Sequence, residues 1–357
     1  MPSHIRMFTA CLGLLSALAA LPGPVRADDN TVKVFILAGQ SNMEGKANNL
    51  LFDHQATDPG TKDFFAHLRD GDKWAVRDDV FIKFLGRKGP LTVGYGSPDK
   101  TGPELEFGYL LGEHFDEPVL LVKAAWGGHS LYQKFRSPSA GMPSDARLQE
   151  ELAQAREKVK ENNEKRNRND PLPTMDDIRK EYGISYRNML AEVKDVRGNY
   201  ATMFPQLKGR KLQIAGFFWF QGFNDQFGEY APKEYARNMQ LFIQDVRKDF
   251  GVPNLPFVIA AIGTGGSSHP ADHPVMLAQL AMNEVPEFQG DVKAFRTDVL
   301  VDRAAEEAFP TWRENFEQWQ KIGSDRPYHY YGSAIWYTRI GRAAGEAMLE
   351  LLNKPGT

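Results

Sequence analysis

Three stretches far apart in the chain carry side chains that could act on one another. They are a serine in "VFILAGQSNMEG" (Val34 to Gly45), a carboxamide in "FQGFNDQ" (Phe220 to Gln226) and a histidine in "GSDRPYHYYGSA" (Gly323 to Ala334). A serine hydroxyl attacks only when a nearby base takes its proton and nearby donors hold the oxyanion that forms. Ser41 would be the nucleophile and His329 the base. Asp325, four residues earlier, could fix the imidazole tautomer and stabilise its charged form. After the turn at Gly222, the Asn224 amide could donate to the oxyanion. Each residue also has a plainer role open to it: Ser41 as a helix cap, Asn224 in an Asx turn, His329 as a packed ring among tyrosines. Met43 stands where the second glycine of a G-x-S-x-G elbow would be, which disfavours that elbow.

These groups need a scaffold that brings them together. Runs rich in Val, Ile and Phe predict strands at Val32 to Ala38, Val80 to Phe84, Val119 to Ala124, Ile214 to Phe220 and Phe257 to Ile262, with a weaker sixth at Val292 to Thr297. Helical periodicity between and after them covers Pro103 to His114, Ile184 to Val196, Lys233 to Phe250 and Ser333 to Leu352. Strands without polar alternation, separated by helices, imply an α/β fold with a mostly parallel, five-stranded sheet covered on both faces. Such sheets bind ligands beyond the carboxyl ends of their strands. Ser41, "AAWGGHS" (Ala124 to Ser130), "FQGFNDQ" and "GTGGSSHPADH" (Gly263 to His273) would all gather at that edge. About residues 145–181 the chain is densely charged and breaks at Pro171 and Pro173. This reads as a solvated helical insertion or as a lid, since it follows the Gly127-Gly128 turn.

The first 27 residues read as a secretory signal peptide, with a short basic start, the apolar run Met7 to Leu21 and a small-residue site ending at Ala27. They contain Cys11, the chain's one cysteine, so residues 28–357, read as a single domain, would carry no thiol. Losing Arg6 and Arg26 with the leader takes the formal charge from −3 to −5. With no basic patch, nucleic acid is not an expected partner, and no further apolar run is long enough to cross a bilayer. The product would be exported, to the periplasm or beyond. No dinucleotide or phosphate-loop motif is present, and no cofactor is expected.

Five blocks in order, "LAGQSNMEG", "GPELEFG", "KAAWGGHSL", "FFWFQGFND" and "YHYYGSAIWYTRIG", resemble the sialate O-acetylesterase and acetylxylan esterase family (carbohydrate esterase family six, within the SGNH hydrolases). The resemblance runs from about Val32 to Leu351. It implies a three-layer flavodoxin-like fold and metal-free serine hydrolysis of acetyl esters on sugars. It also implies Ser41 as nucleophile and His329 as base. The oxyanion hole would draw on the Ser41 N–H, the Gly127-Gly128 turn and Asn224. Two departures bear on the acid. Phe223 stands where many members have the glutamate of Gln-Gly-Glu, and Asp325 is one residue further from His329 than the SGNH Asp-x-x-His spacing. The acid is therefore Asp325, with Asp225 as the fallback or a Ser–His dyad as the third option. A non-catalytic carbohydrate binder, or an esterase for other esters, are the rival readings.

Gln40, Glu104, Gly127, His129, Gln221, Phe223 and Asp225 are possible substrate contacts. The plainer reading of Glu104 is that it complements a helix dipole in its first turn. His269, Asp272 and His273 have metal-ligating types but lack a helical i, i+4 frame, so no metal site is expected there. Trp219 and Phe220 read as core, whereas Phe223 and Phe227 could stack on sugar.

Overall fold

The computed structural model describes residues 30–353; the leader reading lies outside the described residues. Among the described residues, seven strands form one sheet: β1 (Thr31–Gly39), β2 (Val80–Phe84), β3 (Arg87–Pro90), β4 (Val119–Ala125), β5 (Lys211–Phe220), β6 (Phe257–Ala261) and β7 (Val292–Arg296). Their spatial order is β7-β6-β5-β1-β4-β2-β3. All neighbours are parallel except the β2–β3 hairpin. The five strands β4-β1-β5-β6-β7 reproduce the flavodoxin-like order, with the reversal at β1.

Two strands beyond the expected five complete the sheet. β7 is the weaker run at Val292, which pairs with β6 from Phe257↔Val292 to Ala261↔Arg296. β3 is Arg-Lys-Gly-Pro, largely exposed. Lysine and proline on an outer strand discourage pairing with other chains, and they also erase the apolar pattern by which a strand is read.

Both faces are covered, which explains the continuous apolar runs. Along β1, Phe35 and Leu37 pack on one side with Phe107 and Leu111 of α1 (Glu104–His114). Val34, Ile36 and Ala38 face the other side. The charged segment forms α2 (Asp145–Arg166) and α3 (Met175–Glu181), capped by Ser144 and by a Thr174/Asp177 capping box. They rest on a small cluster of their own, in which Leu148, Leu152, Ile178 and Tyr182 pack with Tyr132. α4 (Ile184–Met203) and α5 (Ala231–Phe250) cover the second face through Tyr186, Met189, Phe242 and Val246. α6 (Ala334–Leu352) closes the first face with Tyr337, Ile340 and Met348.

Register sets the edge where chemistry can occur. Gly39 lies opposite Ala125 on one side and Phe220 on the other. The segments following β1, β4 and β5 therefore leave the sheet side by side. Gly39 has to be glycine, because a Cβ there would sit 2.1 Å from the Phe220 carbonyl oxygen.

Candidate active site

Directly after β1 the chain makes a single helical turn, Ser41–Glu44. Gln40 occupies the N-cap position, so Ser41 is the first helical residue and not the cap. Its N–H has no acceptor within the turn. Its side chain, in a residue only 7% exposed, places Oγ 3.0 Å from Nε2 of His329, 288 residues away.

His329 is held by an unusual loop. Tyr330 (φ 53°) and Tyr331 (φ 57°) are both left-handed, which costs about 1–2 kcal/mol each for residues with a Cβ. Contacts to the fold impose this shape. The buried Tyr330 hydroxyl accepts the Gly263 N–H and bonds to Thr297 Oγ1, and the Ser324 and Asp325 N–H groups donate to Tyr331 O. Asn42 supplies the link to the serine turn: its amide NH2 donates to Tyr328 O and its oxygen accepts from the Tyr337 hydroxyl. Asn42 went unassigned in the sequence, although it stands inside "GQSN".

Asp325 Oδ2 lies 3.2 Å from His329 Nδ1, but off the line of an Nδ1–H bond, so the carboxylate sits close to the ring without a straight hydrogen bond and would pair with the imidazolium once Nε2 takes a proton. Catalytic hydrogen bonds are often this loose before substrate binds. The same oxygen is 3.0 Å from Lys100 Nζ, and Oδ1 accepts the Arg326 N–H. Burial by itself would raise this carboxyl's pKa. The His329, Arg326 and Lys100 contacts outweigh burial and hold it well below the usual carboxylate range. Lys100 carried no signal in the sequence that connected it to Asp325.

Asn224 is aimed by a chain of amides. Gln40 Nε2 donates to Asn224 Oδ1 at 3.0 Å, which leaves the Asn224 NH2 as the available donor. Gln40 Oε1 accepts from Gln221 Nε2 and from the Gly222 and Asn224 N–H groups. Gln221 Nε2 also reaches Asp225 Oδ2 and His129 O. Gln40 and Gln221, expected as possible substrate contacts, are instead buried, with their amides engaged by one another, by Asn224 and by Asp225. Asp225 is corrected twice. It is fully buried, and its two oxygens accept the Leu131 and Tyr132 N–H groups, so it neither faces substrate nor serves as the acid for His329. Burial raises its carboxyl to about 6, against the lowering pull of Gln221 and those two N–H groups.

A family model described as carbohydrate esterase, sialic acid-specific acetylesterase, matches residues 31–166 and 178–300, more than half of the chain. The chain belongs to that family. It is similar to a probable carbohydrate esterase of Arabidopsis thaliana, 33% identical over 54 residues. That alignment spans 15% of this chain and only 21% of the relative's length. Among solved structures, an Arabidopsis thaliana protein is 16% identical, with 90% of this chain and 98% of that chain covered and a TM-score of 0.48. A carbohydrate acetylesterase from Xanthomonas citri is 13% identical (76% and 51% covered, TM-score 0.40). NanS is 14% identical (75% and 78% covered, TM-score 0.41).

Two other residues of this member of the family depart from their expected roles. Glu104 is 0% exposed and forms an ion pair with Lys123 Nζ at 2.8 Å, itself 0% exposed, while its other oxygen accepts the Gly102 N–H. It is thus not a substrate contact. Lys123 also donates to the Glu44 and Tyr95 carbonyls, which ties the serine turn to β4. Burial pulls the Lys123 pKa down and the Glu104 carboxylate pulls it back up. Breaking a buried pair from one side strands a charge, so Lys123→Met lowers stability by about 3–5 kcal/mol, read by urea unfolding. Glu104→Gln in the same chain recovers part of that loss.

The Gly127 N–H donates to Glu44 Oε1 at 2.6 Å and is therefore taken. Burial raises the Glu44 carboxyl's pKa, but Lys46, Ser97 and this N–H together hold it low. Gly128, exposed at φ 77°, is the member of the turn left to face the crevice. His129 is half-buried, with Nδ1 2.6 Å from Ser185 Oγ and its ring stacked on Trp126. Phe223 is half-buried between Phe227 and Tyr328. Trp219 and Phe220 are core. His273 caps the Pro274–Leu280 helix and His269 Nδ1 accepts the Gly265 N–H; among the described residues no cluster of three metal-ligating side chains forms.

Proposed function

We propose that this protein is an exported serine hydrolase that removes O-acetyl groups from carbohydrates. The observation that carries the reading is the 3.0 Å approach of Ser41 Oγ to His329 Nε2. His329 takes the Ser41 proton as Oγ adds to the acetyl carbonyl, and the Ser41 N–H, Gly128 N–H and Asn224 NH2 hold the oxyanion. The sugar alkoxide leaves with the proton from His329, giving an acetyl-serine. Water, activated by the same imidazole, then releases acetate and restores the hydroxyl. Asp325 orients His329 and stabilises its cationic form. Membership of the sialic acid-specific acetylesterase family supports carbohydrate as the acetyl carrier. For export, the supporting observation is the leader-like sequence; among the described residues no helix is long and apolar enough to cross a membrane.

A fluorophosphonate probe tests the reading. It labels Ser41 in the native protein, and His329→Ala abolishes labelling. A non-catalytic carbohydrate binder would ignore the probe yet still be retained on acetylated polysaccharide, and that pair of results would overturn the hydrolase reading.

A further inference from the structure

Beside Asn224 the surface opens into a cleft of about 380 Å³ between α2 and residues 227–231, which precede and begin α5. One wall is α2, through Gln154, Ala155 and Lys158; the other is Phe227 and Tyr230. Asn224 lines this cleft as well as belonging to the amide chain after β1 and β5.

A row of aromatic rings leads from the imidazole to the cleft. Tyr328 packs on His329 with centroids 4.5 Å apart, Phe223 on Tyr328 at 5.4 Å, and Phe227 on Phe223 at 5.3 Å. Tyr328 is 42% and Phe227 58% exposed. Single exposed rings are ordinary, but two exposed rings joined through the half-buried Phe223 into a row that ends in a cleft are the pattern of a binding surface. The far wall is preorganised. Arg147 of α2 lies over the Tyr230 ring at 4.0 Å and bridges the walls. Its partner Glu151 also accepts from the Tyr132 and Tyr182 hydroxyls. With Glu151 neutralised in this way, the Gln154 amide and Lys158 ammonium remain without partners among the described residues. Ring faces for C–H stacking, together with a few free donors for hydroxyls, suit a chain of sugar rings.

We propose that this cleft binds the glycan chain bearing the acetyl group, so that the substrate is an acetylated oligosaccharide or polysaccharide and not an isolated acetylated sugar. The proposal rests on the acetylesterase reading above. Binding energy gathered away from the ester would be used at the reacting carbonyl, so kcat/KM depends on chain length.

The test compares acetate release from chemically acetylated xylo-, manno- and galacturono-oligosaccharides of one to six sugars with turnover of 4-nitrophenyl acetate. In the native enzyme kcat/KM rises on the order of ten-fold or more with length in at least one series. Ala155→Trp, which fills the cleft, flattens that rise and leaves 4-nitrophenyl acetate turnover unchanged. Glu229→Trp, at an exposed position on the opposite wall, does the same without burdening the packing beneath α2. A flat length profile in every series, or length dependence that survives in both folded variants, overturns the cleft assignment while the esterase stands. Absence of Ser41-dependent turnover of every ester overturns the esterase reading itself.

Discussion

Ser41→Ala lowers kcat on 4-nitrophenyl acetate by on the order of 10⁵-fold or more, the scale seen when a nucleophile is removed from a serine, histidine and carboxylate set. The Oγ to Nε2 separation of 3.0 Å is already a hydrogen bond, so proton transfer needs no rearrangement. The lost step is bond formation to the acetyl carbon, and no neighbouring group replaces it. The fold should be nearly unaffected: Oγ bonds to His329, while the turn is held by Gln40, Asn42 and the backbone. Urea unfolding of the variant should therefore match the native protein within about 1 kcal/mol, the value of one such hydrogen bond. Retained turnover in a folded Ser41→Ala protein would remove Ser41 as nucleophile.

Asp325→Asn has the second largest effect, a loss in kcat on the order of 10³–10⁴-fold with little change in KM. A neutral amide cannot stabilise the imidazolium and can present NH2 to Nδ1, which favours the wrong tautomer. A loss below about ten-fold would instead indicate a Ser–His dyad. The same substitution has a signature in pH. The native carboxyl is held well below its usual range, so in the folded state it stays ionised to lower pH than in the unfolded chain. Between the two values the unfolded chain binds more protons, so stability rises with pH there. The Asp325 contribution is thus fully present above the ordinary aspartate pKa near 4 and is lost as pH falls through the depressed native value. Stability of Asp325→Asn relative to the native protein, followed from pH 7 downward, should show a deficit that shrinks below about pH 4. A deficit that is constant across that range would mean that Asp325 acts through shape and not charge.

Ser41, His329, Asp325 and Asn224 are legible in the sequence as candidates, because each follows or precedes an element with a strong local pattern, and the structure brings them to one edge of the sheet. Their polar neighbours are harder to read. Gln40, Gln221, Asp225 and Glu104 have the composition of substrate-binding residues, yet all four are buried and hold other groups in place. A polar side chain at a strand end looks the same in sequence whether it faces water or a buried backbone N–H. Lys100 and Lys123 were missed for the same reason, since their partners lie 225 and 19 residues away.

What the chain determined by itself is the set of apolar runs that become parallel strands. Burial on both faces leaves a local imprint, and parallel strands must end at one edge. The antiparallel strand Arg87–Pro90 left no imprint because it is exposed. The approach of Oγ to an imidazole 288 residues away, the left-handed pair after His329 and the amide chain that turns Asn224 were decided only by tertiary packing. Those features depend on which side chains meet across the sheet edge, and periodicity along the chain contains no information about such meetings.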